Sequence, residues 1–140
     1  MTSERPPTRC VRLRKVLIVD RDAFWGPAIR VALEDAGYYL NLVADAREGG
    51  RRAVERAYDL VIVSASMGKG AVVGIVESLS RRMTPPCVLI LDHADELQLQ
   101  RDHPGVPCLA ILRNPFTIEN VVDTTRSLVG VPWSDHRLGA

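Results

Sequence analysis

The chain has 140 residues, 46% of them hydrophobic, which suits one domain with a sizeable core and not two. Eighteen basic residues against seventeen acidic ones leave a formal net charge of +1, a balance that argues against nucleic acid or an anionic membrane surface as a general partner. No window approaches the roughly 18 apolar residues of a membrane span, and the amino terminus lacks the apolar run of a secretory signal, so a cytoplasmic location is expected.

In chain order, residues 1–14 read as a flexible basic arm, because Arg5, Arg9, Arg12, Arg14 and the adjoining Lys15 face only Glu4, and Pro6-Pro7 opposes regular structure. Val16-Leu17-Ile18-Val19 is the first strand candidate, followed by Tyr39–Val43, Leu60–Val63, Val88–Leu91 and Leu109–Leu112. Four of these five runs are continuously apolar and rich in branched side chains, as strands buried on both faces must be. Between them lie stretches of helical period at Ala28/Ile29/Ala32/Leu33/Ala36, Ala53/Val54/Ala57, Val72/Val73/Val76/Leu79, a short polar one near 95–102, and Val121/Val122/Thr125/Leu128/Val129. Pro27 belongs in the opening turn of the first helix, which puts its start near Gly26 and leaves Phe24 and Trp25 in a lengthened loop. Strand and helix alternate throughout, so residues 15–130 are expected to form a doubly wound α/β domain, with residues 131–140 as a tail. Cys87 and Cys108 fall in strand-like runs and are read as core thiols; no Cys or His pair has zinc-ligand spacing, so no metal is expected.

In an open parallel sheet, chemistry collects at the carboxyl ends of the strands. Here these ends read Asp20-Arg21-Asp22, Ser64-Ala65-Ser66, Asp92-His93 and Arg113-Asn114-Pro115-Phe116. Gly68-Lys69-Gly70 lacks the partners of a P-loop, since Val63 and Gly70 stand where Gly and Ser or Thr are needed, and Gly68, Gly70 and Gly74 miss the dinucleotide spacing. These glycines are read as a mobile loop, and His93 as a solvated loop residue.

KVLIVDRD, EDAGY, DLVIVSASM, PPCVLIL followed by HADE, and LRNPFTIENVV stand in the order and spacing of the receiver domains of two-component response regulators, which residues 15–130 resemble. The resemblance implies the CheY-like, flavodoxin-like architecture: a five-stranded parallel sheet in order 2-1-3-4-5 flanked by five helices, with a cis peptide at the Pro115-Phe116 turn. It also implies a pocket in which an aspartate at the end of the third strand accepts a phosphoryl group beside a magnesium ion held by two acids. The acceptor position here is Ser64. Asp20 keeps the first acid, but Arg21 replaces the second; Leu91 stands at the hydroxyl-bearing switch position, Asn114 at the lysine and Ile111 at the aromatic partner. Asp20, Arg21, Asp22, Ser64, Ser66, Leu91, Asp92 and Asn114 therefore outline a vestigial phosphorylation pocket.

A serine hydroxyl without a base and a cation does not take a phosphoryl group from phosphohistidine, so Ser64 is read as a small polar residue bonded to a loop amide. The Arg21 guanidinium is expected to pair with Asp20, Asp22 or Asp92 in place of the cation, the plainer alternative being that it faces solvent. A cation site rebuilt from the three aspartates would sit poorly beside that arginine, and no cofactor is expected. The reading is thus an atypical receiver, a pseudo-receiver without enzymatic activity, that works through phosphorylation-independent contact with signalling proteins such as a histidine kinase or a separate output protein. Trp25, Ile111, Arg113 and Phe116 are the candidate partner surface, on or beside the face of residues 94–130, and a homodimer stays open. The alternative is a residual phosphorelay or ligand-responsive receiver using Asp20, Asp22, Asp92 or Ser64.

Overall fold

A computed structural model describes residues 9–92, 106 and 108–137. Its elements are β1 (Arg9–Leu13), β2 (Lys15–Val19), α1 (Trp25–Asp35), β3 (Tyr39–Val43), α2 (Ala46–Glu55), β4 (Leu60–Ser64), a 3-10 turn (Ala65–Met67), α3 (Lys69–Ser80), β5 (Cys87–Asp92), β6 (Leu109–Arg113), α4 (Ile118–Val129) and β7 (Trp133–Arg137). Five strands form one parallel sheet in the order β3-β2-β4-β5-β6, which is 2-1-3-4-5 counted along those five. The expected helix near 95–102 and His93 lie outside the described residues.

The continuous apolar runs fold as they do because the central strands have no wet face. Val16–Val19 and Leu60–Val63 are fully buried, and successive side chains of each strand feed opposite cores. Leu17, Val19, Val61, Val63, Val88 and Ile90 meet Ala53 of α2 and Val72, Ile75, Val76 and Leu79 of α3 on one side. Val16, Ile18, Leu60, Ile62, Leu89 and Leu91 meet Ile29 and Leu33 of α1 and Val121 of α4 on the other. Full burial of each such side chain contributes about 1.5–3 kcal/mol before chain entropy is set against it. The helix starts are fixed locally. Asp45 accepts from the amides of Arg47 and Glu48 to open α2, and Thr117 with Asn120 forms a reciprocal capping box on α4. Pro27 is the third residue of α1, so its missing amide costs no intrahelical bond, and Trp25 opens the helix where a loop was expected.

Three other expectations change. Residues 9–13 and 133–137, read as arm and tail, pair as an antiparallel two-stranded sheet from Arg9↔Arg137 to Leu13↔Trp133. The start of β2 and the end of α4 emerge together: the Arg14 amide donates to the Pro132 carbonyl at 2.7 Å, and Pro132 lies against Gly37, whose φ of +105° and lack of a Cβ admit the close approach. Tyr38 donates to the Gly130 carbonyl at 2.6 Å, its phenol pushed up in pKa chiefly by burial. Secondly, Gly68 alone of the three loop glycines is a hinge, at φ +99° between the 3-10 turn and α3; Gly70 and Gly74 lie inside the helix. Thirdly, Cys87 and Cys108 are joined by a disulfide and are not separate core thiols, because the pairing of Val88 with Leu109 sets the two residues side by side.

The approach of α2 to β2 depends on Gly49. A Cβ there would lie 2.7 and 2.8 Å from the Val19 Cγ atoms, which are locked in the core, whereas one on Gly50 would meet Ile75 at an ordinary 3.7 Å. Gly49→Ala is expected to destabilise the domain by about 1–3 kcal/mol in urea denaturation despite its better helix propensity, while Gly50→Ala gains roughly 0.5–1 kcal/mol. Equal effects of the two changes would contradict the packing described.

Candidate functional site

Parallel register places the site. Val19 of β2 pairs with Val63 of β4, so the next residues, Asp20 and Ser64, come out side by side at the carboxyl edge of the sheet. Ser64 pairs with Leu91 of β5, and Asp92 with Arg113 of β6, which extends the same edge across four strands. Burial is deep at this edge: Asp20 is 2% exposed, Ser64 0% and Asp92 4%.

Ser66 knits these groups together. The 3-10 turn that follows β4 brings its hydroxyl 2.8 Å from the Ser64 hydroxyl and lets it donate to Asp20 Oδ1 at 3.2 Å, while the Ser66 amide donates to Ser64 Oγ at 3.2 Å. Asp20 Oδ1 also accepts from the Asp22 amide at 2.9 Å. Asp22 in turn points its carboxylate at the start of α1, where Oδ1 accepts from the amides of Phe24 and Trp25 at 2.8 and 2.9 Å. Satisfying two orphan donors of the helix is a structural task, and it suits the partial positive charge of a helix N-terminus.

Arg21 behaves otherwise than expected. The residue is exposed, its guanidinium donates to the Met67 carbonyl at 3.2 Å, and among the described residues it forms no ion pair with Asp20, Asp22 or Asp92. The Asp22 carboxylate accepts from amides and Asp20 Oδ1 from an amide and a hydroxyl, while the arginine ties the β2 loop to the 3-10 turn. The donor set suits a hard divalent cation poorly, since the Asp22 carboxylate is turned to the amides of α1 and the exposed Arg21 adds positive charge beside Asp20. Among the described residues no group of three or more His, Cys, Asp or Glu is placed to hold a metal ion.

On the β6 side, the peptide between Asn114 and Pro115 is cis, and the Asn114 amide donates to the Asp92 carbonyl at 3.0 Å. Asn114 and Arg113 are exposed and Ile111 is half-buried. Phe116 departs from its place in the partner surface: it is buried and packs against Trp25, with ring centroids 5.1 Å apart. Beside Trp25, Phe24 is exposed, 69% accessible, and edge-on to it at 5.8 Å. A surface cleft of about 520 Å³, lined by Lys15, Tyr39, Asn41, Arg56, Ala57 and Tyr58, lies at the amino ends of β2 and β3, away from this edge.

No family model matches the chain, and no curated protein matches it in sequence. Solved structures match it closely in shape. The chain is similar to a response regulator receiver protein from Burkholderia phymatum at 21% identity, with 84% of this chain and 96% of that one covered and a TM-score of 0.65. It is similar to the chemotaxis response regulator CheY4 of Vibrio cholerae at 23% identity, covering 84% and 99% with a TM-score of 0.70, and to a CheY-like receiver domain protein from Methanospirillum hungatei JF-1 at 16% identity, covering 83% and 93% with a TM-score of 0.72. The fold is therefore that of the CheY-like response regulator receiver domain.

Asp22 gives a direct check on its role. Asp22→Ala should cost about 0.5–2 kcal/mol of stability and Asp22→Asn, which keeps an acceptor, only a few tenths. Arg21→Ala, which loses one hydrogen bond at an exposed residue, should shift stability by no more than about 1 kcal/mol. A larger loss for Arg21 than for Asp22 in the same urea series would reverse these assignments.

Proposed function

We propose that the chain is a receiver-type module of two-component signal transduction that acts by protein–protein contact without being phosphorylated. One observation carries this reading: the acceptor position holds Ser64, fully buried, with its hydroxyl already engaged by Ser66, which also binds the one retained acid, Asp20. A neutral hydroxyl in that setting has neither the basicity nor the cation that phosphoryl transfer draws on. Arg21 at the second acid and Asn114 at the lysine position remove the remaining parts of the chemistry, so neither magnesium nor catalysis enters the proposed mode of action. The partners are signalling proteins of the same pathway, a histidine kinase or a separate output protein, in the cytoplasm. Exposed Phe24, with half-buried Trp25 behind it, supplies an aromatic contact beside the site; Arg113 and Ile111 on β6 supply another part of the surface. No helix among the described residues is long and apolar enough to cross a membrane.

Incubation with acetyl phosphate and magnesium should leave the intact mass unchanged, with no species heavier by about 80 Da, the mass of one phosphoryl group. A stoichiometric adduct would favour the residual phosphorelay and end this reading. Ser64→Asp alone should stay unreactive. The triple change Arg21→Asp, Ser64→Asp, Asn114→Lys should bind magnesium, detectable by calorimetry, because the register already sets residues 20, 21 and 64 at one edge.

A further inference from the structure

We propose that Cys87 and Cys108 are a reversible thiol–disulfide pair that clamps the edge strand β6 to β5, making the redox state of the surrounding thiol pool an input to the face formed by β6 and α4. The pair sits at the amino ends of the two strands, at the opposite edge of the sheet from Ser64, so it is a separate site and does not depend on how the acceptor position is read. Three observations support it.

Register comes first. Val88 pairs with Leu109 and the Val88 amide donates to the Cys108 carbonyl at 2.8 Å, so the preceding residues Cys87 and Cys108 stand directly across from one another, with a Cα separation of 4.6 Å that lies within the range a disulfide spans. Both residues are half-buried and so are not sealed in the core, which suits exchange with a small thiol or disulfide. Finally, the bond is placed where it has leverage. β6 is the last strand of the sheet, its side chains from Ala110 to Leu112 are only partly buried, and among the described residues it is paired on one flank alone. Cys87 Sγ lies 3.7 Å from the Leu128 carbonyl oxygen in the last turn of α4, so the bond touches β5, β6 and α4 together.

The exchange balances with a small disulfide such as oxidised glutathione. One cysteine thiolate attacks a sulfur of that disulfide and expels one glutathione thiolate, which leaves a mixed disulfide on the protein; the second cysteine thiolate attacks the protein sulfur and expels the other. The protein gives up two electrons and two protons, and oxidised glutathione becomes two molecules of glutathione. Dithiothreitol runs the same steps backwards. Oxidation joins β6 to its neighbour through a loop closed over a sequence separation of 21, which restrains the edge strand and the unfolded chain alike.

The test uses the full chain with Cys10→Ala, so that only the two cysteines titrate. After reduction and treatment with oxidised glutathione, the intact mass should fall by about 2 Da relative to the reduced protein, for two hydrogens lost. Trypsin without reductant should release residues 83–101 linked to residues 102–113, since Arg101 separates the two cysteines. The oxidised form should melt roughly 5–15 °C higher, and amides of β6 and α4 should exchange hydrogen at least about tenfold more slowly than in the reduced form. Cys108→Ser should gain at most one glutathione and keep the melting and exchange of the reduced protein under both conditions. Persistent single glutathione adducts without linked peptides, or disulfide dimers, would overturn the pairing. A linked pair whose formation changes neither melting nor exchange at β6 and α4 would overturn its role as an input.

Discussion

The candidate site depends on one constraint, the in-register parallel pairing of β2 with β4. Four consecutive pairs, from Val16↔Leu60 to Val19↔Val63, lie fully buried, and a slip of one residue would send every side chain of a strand to the wrong core. The hydrophobic pattern that prevents this slip also decides which polar residues meet beyond the last pair. Asp20 and Ser64 are neighbours because eight aliphatic side chains are sorted between two faces, not because they attract one another.

Given that frame, the polar edge is closed by short, local means. The turn after β4 returns Ser66 to both Ser64 and Asp20, and Asp22 spends its carboxylate on the first amides of α1. A pocket that binds a cation needs several acids facing a common point; here Asp22 is turned to the amides of α1 and Asp20 Oδ1 to Ser66 and the Asp22 amide. The edge is therefore organised around holding the β2 and β4 loops in one arrangement, and Arg21 adds to it by tying one loop to the carbonyl of Met67.

Much of the sheet was legible because its signals are local. Runs such as Leu60–Val63 and Val88–Leu91 carry their burial in their composition, and Pro27 marks the start of α1 to within two residues. The strand ends, and so the residues at the site, follow once the order of strands is assumed. What stayed hidden depends on geometry that spacing does not encode. The direction of Arg21 turns on the position of a carbonyl in the 3-10 turn, and Phe116 joins the core on the α1–α4 side and packs against Trp25, far off in sequence. Cys87 and Cys108 look like isolated apolar thiols until the β5–β6 register is known. The pairing of β1 with β7 joins opposite ends of the chain, and five-residue segments of mixed polarity such as RCVRL and WSDHR have no periodic signature to announce it.

That ribbon has a mechanical consequence. Its strands run antiparallel with Arg9 opposite Arg137 at the outer end, so tension pulling the two outer ends apart loads one rung at a time, as in opening a zipper. The load passes inward to Leu13 and Trp133 before it reaches β2. There the geometry reverses: β2 lies between two parallel neighbours and is pulled along its own axis, so all of its rungs on both flanks must yield together. The ribbon is thus a soft element in series with a stiff one, extending under forces that leave the sheet and its polar edge intact.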